Sequence, residues 1–304
     1  MTETDGWFAD IDTGDGGAGA GDPRPVLDRD DPDRLEARVR DGEADEPRAW
    51  PELAVEAGFA DDEDDYYDAL REATVAATRA AVESRERADD RQLVHAVRAM
   101  DDCARTANEL AERLAEWAGT VDPDAGTGIE YARDLAARDE PSIPHPVRSL
   151  AERVVALADE AEALRAFVEE RTPTVAPNLA ALAGPVLAAR LISLAGGLER
   201  LAKKPSGTVQ VLGAEDALFA HLRGHAPSPK HGIIYTHDAV RGTRREDRGS
   251  AARALAGKLS IAARVDHYSG EPKPELEAEL VDRLETIRAR AESDAESAGG
   301  GDGE

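Results

Sequence analysis

The chain has 304 residues, 41% of them hydrophobic, and its 63 Asp and Glu against 37 Lys and Arg give a formal net charge of -26. No apolar run approaches the roughly 20 residues of a membrane-spanning helix, and the first residues lack the basic start and apolar core of a secretory signal. The single Cys103 excludes an internal disulfide and paired-cysteine metal ligands, so we expect a cytoplasmic protein with one to three cores.

The acid excess has two interpretations: a surface for cations or basic proteins, or adaptation to concentrated salt. The acids occur in most segments and arginine outnumbers lysine by 32 to 5, which favours salt adaptation and a halophilic source. At molar ionic strength the screening length shrinks to about 3 Å, so only close hydrogen-bonded contacts with phosphate keep their strength.

Residues 1–45 are rich in Asp, Gly and Pro and lack apolar periodicity, which predicts disorder. The next region, residues 46–90, holds four of the twelve aromatic side chains and a predicted helix with acids in its first turn and arginines in its last. Its large apolar residues include Trp50, Phe59, Tyr66, Tyr67 and Leu70. A small local core and a docking surface explain these residues about equally well.

Residues 91–172 contain two apolar seams with the heptad period of a packed coiled coil. The first seam includes Leu93, Val97, Met100 and Leu114, and the second comprises Val147, Leu150, Val154, Leu157, Ala161, Leu164 and Val168, with Thr172 and Pro173 predicted to stop the helix. The seams can pack against each other as an antiparallel hairpin or against a second copy of the chain.

Residues 173–290 have the pattern of a compact, mainly helical module, with prolines at helix starts and glycines between helices. The segment HGIIYTH is too short for a sheet and is predicted to thread the core. Residues 291–304 are predicted to be a disordered tail.

A basic window lies inside this acidic chain. Residues 184–270 hold 13 Lys and Arg against 7 Asp and Glu, a balance of +6, and five of the seven histidines. Clustered cations on an acidic protein indicate a phosphate-bearing partner.

The histidines of this window have no nucleophile elbow, phosphate-binding loop, HExxH helix or cysteine pair beside them, so no catalytic constellation is predicted. Nucleic-acid binding is favoured instead, because arginine holds phosphate through two short-range hydrogen bonds that resist salt. The alternative is a network of internal ion pairs with the surplus acids.

The sequence contains three long stretches that are typical of one family: APNLAALAGPVLAARLISLAGGLERLAKKPSGTVQVLGAEDALFAHL, PSPKHGIIYTH and RGSAARALAGKLSIAARVDHYSGE. They closely resemble the Nop domain of the archaeal Nop family, relatives of the eukaryotic nucleolar box C/D scaffold proteins. The stretches WPELAVEAGFADDEDDYYDALRE and LVHAVRAMDDCARTANELAERLAEW resemble the amino-terminal and coiled-coil segments of that family. The resemblance covers about residues 48–289.

This resemblance implies a mainly α protein with an N-terminal domain that is reduced α/β or helical, a long antiparallel coiled-coil arm and an all-helical C-terminal Nop domain. It implies a non-catalytic scaffold of the box C/D small ribonucleoprotein, which directs ribose 2'-O-methylation of rRNA and tRNA. The implied partners are a kink-turn guide RNA, its ribosomal-type kink-turn-binding protein, the methyltransferase fibrillarin and a second copy of the chain. S-adenosylmethionine would be bound by fibrillarin, so no cofactor is expected on this chain.

The resemblance and the charge pattern together assign residues to four surfaces. The RNA-binding residues are Arg223, Lys230, His231, Arg244, Arg245, Arg248, Arg253, Lys258 and Arg264, and the guide-duplex motif is Gly213, Ala214, Glu215 and Asp216. The fibrillarin-docking residues are Trp50, Phe59, Tyr66, Tyr67 and Leu70. The dimerisation residues are Leu93, Val97, Met100, Leu114, Val147, Leu150, Val154, Leu157, Leu164 and Val168.

The sequence departs from the family in two places. Asp216 stands where the family usually has lysine, and Ala220 stands where it usually has arginine, so this helix has lost two cations that would approach RNA. The family normally has an α/β unit before its aromatic-rich helix. The N-terminal domain is short by comparison, since residues 1–45 do not have the pattern of strands. A second hypothesis therefore stays open: a helical protein-protein adaptor whose basic window serves internal ion pairs alone.

Overall fold

The computed structural model describes residues 32–41, 48–138 and 141–299, with side chains for 35–40, 48–138 and 141–289. These residues form helices, one 3-10 turn and no strand, which confirms the predicted mainly α fold. The helices are α1 (Pro32–Asp41), α2 (Trp50–Glu56), α3 (Glu63–Arg87), α4 (Asp89–Ala118), α5 (Gly128–Ala137), α6 (His145–Val175), α7 (Pro177–Ala183), α8 (Pro185–Ala195), α9 (Leu198–Ala202), α10 (Ser206–Val211), α11 (Glu215–Leu222), α12 (Asp238–Arg241), α13 (Arg248–Tyr268) and α14 (Glu275–Gly299), and the 3-10 turn spans Ile233–Thr236.

The chain divides into two compact units, Met1–Ala88 and Asp89–Glu304. In the first unit, Asp62 caps α3, because its Oδ1 accepts a hydrogen bond of 2.9 Å from the backbone N–H of Asp65. One face of α3 packs against α1 and α2 around two aromatic side chains, Phe59 and Tyr66, which are 3% and 2% exposed. The described part of this unit is therefore a small helical core.

Helix α1 lies inside the segment 1–45 that was predicted to be disordered, so that prediction is wrong for Pro32–Asp41. Leu35 is buried in the same cluster as Phe59, and Val39, one helical turn later, packs against it. Two apolar side chains at this spacing give a short helix one face to bury, and the polar residues around them hide the signal. The rest of the predicted disordered segment, residues 1–31 and 42–45, lies outside the described residues.

Helices α4 and α6 pack against each other as an antiparallel hairpin. Asp89 at the start of α4 accepts a hydrogen bond of 2.6 Å from Arg171 near the end of α6, whereas Leu114 and Val147 share a cluster at the other end. Helix α5 packs against both helices at that end. The structure therefore confirms the hairpin interpretation of the two predicted seams, but α6 continues past the predicted stop at Thr172 and Pro173 to Val175.

The buried seam of α6 differs from the predicted one at alternate positions. Ala151 and Ala158 are buried, while Leu150, Leu157 and Leu164 lie half-buried on its flank. A small residue lets two helices approach closely, so alanine occupies the contact and the larger leucines pack beside it. A pattern that scores hydrophobicity alone selects the leucines instead.

This packing corrects most of the predicted dimerisation residues. Seven of them are at most 4% exposed inside the unit and are not available to a second copy: Leu93, Val97, Met100, Leu114, Val147, Val154 and Val168. The half-buried leucines of the flank are the exceptions.

The base of the hairpin belongs to the core of the C-terminal helices. Val94 of α4 is fully buried in the same cluster as Leu191 of α8 and Leu255 of α13. Polar contacts support this packing, since Asp90 Oδ2 accepts a hydrogen bond of 2.9 Å from the backbone N–H of Leu198, and Asp101 pairs with Arg190 at 2.5 Å. The predicted boundary at residues 172 and 173 therefore does not separate two cores.

Helix α13 lies at the centre of the C-terminal helices. It packs against α7, α9, α10, α12, α14 and the 3-10 turn, and most of its buried positions are alanine or leucine. Helix α14 extends to Gly299, so the tail predicted to be disordered over 291–304 is helical up to that residue, and residues 300–304 lie outside the described chain.

A buried carboxylate joins the two ends of this region. Asp266 of α13, 8% exposed, accepts hydrogen bonds from the backbone N–H groups of Asn178 and Leu179 at 3.0 and 2.9 Å and from Asn178 Nδ2 at 2.7 Å. The backbone donors belong to the first turn of α7, where no helical carbonyl can accept from them. Asp266 therefore caps a helix distant in sequence.

Within the described residues no single helix is long and apolar enough to cross a membrane. The neighbouring helices α7 and α8 together have the length and apolar composition of a span, but the angle between them is 118°.

We expect Asp266→Ala to lower the free energy of unfolding by about 3 kcal/mol, because three buried donors lose a charged acceptor. Urea unfolding followed by circular dichroism measures this change. Asp134→Ala, which removes an exposed carboxylate from α5, is the matched control and should change stability by less than about 0.5 kcal/mol. Equal effects of the two substitutions would contradict the capping role.

Candidate nucleic-acid interface

Four side chains meet at the start of α13. The His231 ring stacks on Tyr235 with centroids 4.7 Å apart and an angle of 22° between the rings. The guanidinium carbon of Arg248 lies 5.3 Å from the Tyr235 centroid, within the range of a cation-π contact. The stem of Lys230 passes over Gly249, where a Cβ atom would lie 3.7 Å from it. We call Lys230, His231, Tyr235 and Arg248 the cationic cluster.

A close backbone approach places this cluster. The N–H groups of Gly232 and Ile233 donate to the carbonyls of Gln210 and Leu212 at 2.8 and 2.7 Å, which ties the segment to the end of α10. A Cβ atom at Gly232 would lie 1.9 Å from the Leu212 carbonyl oxygen, so only glycine fits. The following 3-10 turn then brings Tyr235 back beside His231.

The Arg248 side chain is held by backbone carbonyls. Its Nε donates to Thr243 at 3.2 Å and its Nη2 to Arg241 at 3.4 Å, leaving the guanidinium against the face of Tyr235. The first N–H groups of α13 lie next to it, and the positive end of the helix dipole adds to its charge. The site therefore combines fixed cations, backbone donors and an aromatic face, which suits contact with phosphate and a base or peptide group.

Burial lowers the pKa of His231 from its ordinary value near 6.5, and the cations of Arg248 and Lys230 lower it further. The ring is therefore neutral at pH 7, so it presents one donor and one acceptor instead of a third cation. The folded chain binds this proton less readily than the unfolded chain, so the contribution of His231 to stability falls as the pH drops below about 6.5.

Three predicted RNA-binding residues lie close to the cluster in the chain. Arg244 and Arg245 are exposed in the turn before α13, and Arg244 contacts Asp247 at 3.6 Å. Arg253 is exposed on α13, and its side chain makes no hydrogen bond or ion pair with the described residues. Arg223 is exposed at the end of α11.

Two predicted residues have internal partners instead. Lys258 forms an ion pair with Glu279 of α14. Arg264 donates to the carbonyls of Ala202 and Lys204 at 3.2 and 3.5 Å, and the helix rise places it about 24 Å along α13 from Arg248. Arg264 therefore braces α9 in this structure, and Lys258 is available only if Glu279 releases it.

The predicted guide-duplex motif forms the start of α11. Gly213 has a positive φ of 80°, and its N–H donates to Glu215 Oε1 at 2.9 Å, while Ala214 occupies the N-cap position without a side-chain hydrogen bond and Asp216 is exposed. The helix has no buried residue, and Phe219 and Leu222 are 56% and 70% exposed. With Asp216 and Ala220 in place of cations, α11 presents acidic and apolar groups.

The predicted fibrillarin-docking residues are mostly internal to the first unit. Phe59 and Tyr66 are buried, Trp50 and Leu70 are half-buried against them, and only Tyr67 is exposed, at 51%. The local-core interpretation is therefore confirmed for the first four. Val75 and Val82, 53% and 56% exposed, follow Tyr67 at helical spacing on the outer face of α3.

Tyr235 was missed by the sequence analysis, which placed HGIIYTH in the core. The sequence feature that indicates its position is the spacing of His231 and Tyr235, which are four residues apart with the buried Ile234 between them. No group of three or more metal-ligating side chains occurs among the residues that the structure describes.

Comparisons with known proteins agree on one family. The model of the Nop family, whose description is "snoRNA binding domain, fibrillarin", matches residues 127–288. An uncharacterized NOP5 family protein of Methanocaldococcus jannaschii is 34% identical over 276 residues, covering 78% of this chain and 67% of that protein. Nucleolar protein 56 of Saccharomyces cerevisiae is 31% identical over 239 residues, covering 64% of this chain and 47% of that protein.

Solved structures give the same result. A chain of the crystal structure of a fibrillarin/Nop5p complex superimposes with a TM-score of 0.50 and 26% sequence identity, covering 92% of this chain and 98% of that one. This chain thus spans about two thirds of the methanogen relative and about half of the yeast one.

We expect Arg248→Ala to raise the pKa of His231, because the ring loses a neighbouring cation and gains exposure to water. Titration of the His231 ring protons by NMR measures the shift. Arg244→Ala removes an equal charge from the adjacent turn and should leave that pKa within about 0.2 units. Equal shifts in the two variants would show that Arg248 does not act on the ring directly.

Proposed function

Because this chain belongs to the Nop family, we propose that it is a non-catalytic scaffold of a box C/D small ribonucleoprotein that directs ribose 2'-O-methylation of rRNA and tRNA. The observation that carries the proposal is the cationic cluster at the start of α13, which lies within the residues matched to the family's snoRNA-binding domain. Arg248 and Lys230 would contact phosphates, and the exposed edges of the His231–Tyr235 stack would contact a base or the protein bound to the RNA.

The proposed RNA is a kink-turn guide RNA that already carries its ribosomal-type binding protein. A neutral His231 supports such a composite target, because a ring with one donor and one acceptor suits an RNA or peptide edge better than a bare phosphate. The contact with the RNA backbone would be extended by Arg244, Arg245 and Arg253. Arg264 would hold α13 against α9 through the Ala202 carbonyl.

Fibrillarin is the proposed catalytic partner, and S-adenosylmethionine would be bound there. The similarity to a chain solved in a fibrillarin/Nop5p complex supports this partner. We assign the docking face to the outer stripe of α3, since Tyr67, Val75 and Val82 are more than half exposed while the other aromatic residues form the core beneath. The cytoplasmic location and the halophilic source remain predictions.

Pairing with a second copy would use the flank of α6. Leu150, Leu157 and Leu164 recur every seven residues and are only half-buried by the hairpin, so they form an apolar stripe along its length. The internal seam supplies the stability of the hairpin, and this stripe would supply the interface.

The alternative is a helical adaptor whose basic window serves internal ion pairs. The Lys258–Glu279 pair and the contacts of Arg264 favour it for those two residues. Arg223, Arg245 and Arg253 do not fit this pattern, because their side chains make no ion pair with the described residues.

The double substitution Lys230→Ala and Arg253→Ala separates the two functions. We expect binding to a box C/D guide RNA carrying its kink-turn-binding protein to weaken about 100-fold, since two charge-assisted contacts are lost. Reconstitution with fibrillarin and S-adenosylmethionine should lose methyl transfer in parallel. Arg98→Ala with Arg113→Ala removes two exposed arginines from α4 and is the control. Unchanged RNA binding by the first variant would favour the adaptor.

Leu157→Asp should convert a dimer into monomers, because it places a charge in the proposed stripe. Sizing chromatography with light scattering measures the mass. Ala156→Asp adds the same charge one residue away at an exposed position and should leave the dimer intact. A dimer that persists in Leu157→Asp would remove the stripe from the interface.

A further inference from the structure

A groove of about 720 Å³ runs between α13 and α14. Its α13 wall is formed by positions that recur at helical spacing from Ser250 to Ile261, a length of about 17 Å. Its α14 wall is formed in the same way from Glu279 to Ile287. We call it the α13–α14 groove.

The groove is continuous with the cationic cluster. Ser250 lies in the first turn of α13, next to Gly249, over which the stem of Lys230 passes. From this end, exposed cations project from both walls, Arg253 from α13 and Arg283 from α14. A chain of phosphates held at the cluster would therefore meet further cations by following the groove.

The two arginines have no acidic partner among the described residues. The one carboxylate a helical turn from Arg283 is Glu279, which pairs with Lys258, and Asp282 also lines the α14 wall but pairs with neither arginine. Side chains of this kind, opposed across a shallow trough, suit an anion that lies between them and accepts from both.

The third cation of the groove is occupied. Lys258, 21% exposed, forms an ion pair with Glu279, whose side chain is 56% exposed. The carboxylate is the more accessible partner, so it can turn into solvent while the ammonium stays at the floor of the groove. A phosphate oxygen offers the same negative charge and the same acceptor geometry to that ammonium.

We propose that the α13–α14 groove carries the single-stranded RNA backbone that leaves the cationic cluster, with Arg283 as an RNA contact and Glu279 as a carboxylate that the RNA displaces from Lys258. This inference rests on the proposed function and adds a second wall to its RNA surface. Helix α14 then has two roles, since it supplies one cation to the RNA and restrains another until the RNA arrives.

Displacement makes the groove selective for close contacts. An anion must approach Lys258 to hydrogen-bond distance to replace Glu279, and a polyanion held only by long-range attraction does not do so. Glu279 therefore lowers the affinity of strands that displace it, whereas a strand that stays beyond hydrogen-bond distance gains nothing from Lys258.

The test uses the full chain and a fluorescein-labelled box C/D kink-turn RNA saturated with its kink-turn-binding protein, with anisotropy measured at several salt concentrations. We expect Arg283→Ala to weaken binding about tenfold and to reduce the slope of log affinity against log salt by about 0.7, the value for one lost contact on a single strand. Arg288→Ala removes the same charge from α14, but Arg288 lines a different cavity, between α14 and α7. It should change binding less than twofold.

We expect Glu279→Gln to strengthen binding about fivefold, because Lys258 no longer has to give up an ion pair. Glu277→Gln, which removes a carboxylate from the cavity that Arg288 lines, is the matched control and should have little effect. In a Lys258→Ala background the gain from Glu279→Gln should vanish, since there is no ammonium left to release.

Three results would overturn the inference. Equal weakening by Arg283→Ala and Arg288→Ala would mean that only the net charge of α14 matters. Weaker binding by Glu279→Gln, or a gain that persists without Lys258, would mean that Glu279 does not compete with RNA. Failure of the unsubstituted chain to bind the protein-saturated RNA would instead reject the proposed function itself, and this is visible before any variant is compared.

Discussion

The packing of α13 among the C-terminal helices is the interaction on which the rest of the structure depends. Its alanine and leucine face is buried against several short helices, and Asp266 near its end caps α7. Because α13 is packed along its length in this way, its first turn has a fixed place. The cationic cluster is assembled there from the 230–235 segment and α13 itself, so the position of the cations follows from burial of apolar surface elsewhere on the same helix.

The distribution of charge explains how a chain with a net charge of -26 can offer a surface to RNA. Arginines on the hairpin pair with nearby acids, as Arg105 does with Asp102 and Glu109, which raises its pKa further. At the start of α13 the partners are backbone carbonyls and an aromatic ring instead, so the positive charge is not cancelled. A phosphate that contacts these side chains at short range stays bound when salt screens longer-range attraction.

Much of this arrangement could be predicted from the sequence, because helical periodicity and the family resemblance extend over long stretches. The mainly α fold and the antiparallel hairpin are examples. The residues that pack inside the hairpin were harder to predict, since Ala151 and Ala158 are chosen over leucines by the distance between two helices and not by hydrophobicity. The same limit applies to Lys258 and Arg264. Their partners are distant in the chain, and a charge pattern cannot distinguish a cation that faces solvent from one that faces a carbonyl.

The burial of Val94 in the core of the C-terminal helices has a consequence for how such proteins can be rearranged. A chimera joined at residue 172, with the hairpin of one relative and the remaining helices of another, would place a foreign side chain from α4 against Leu191 and Leu255. Mismatched volumes there would leave a void or a clash in the interior. Hairpin and C-terminal helices are therefore expected to be inherited as one piece, with recombination tolerated near residue 88 instead.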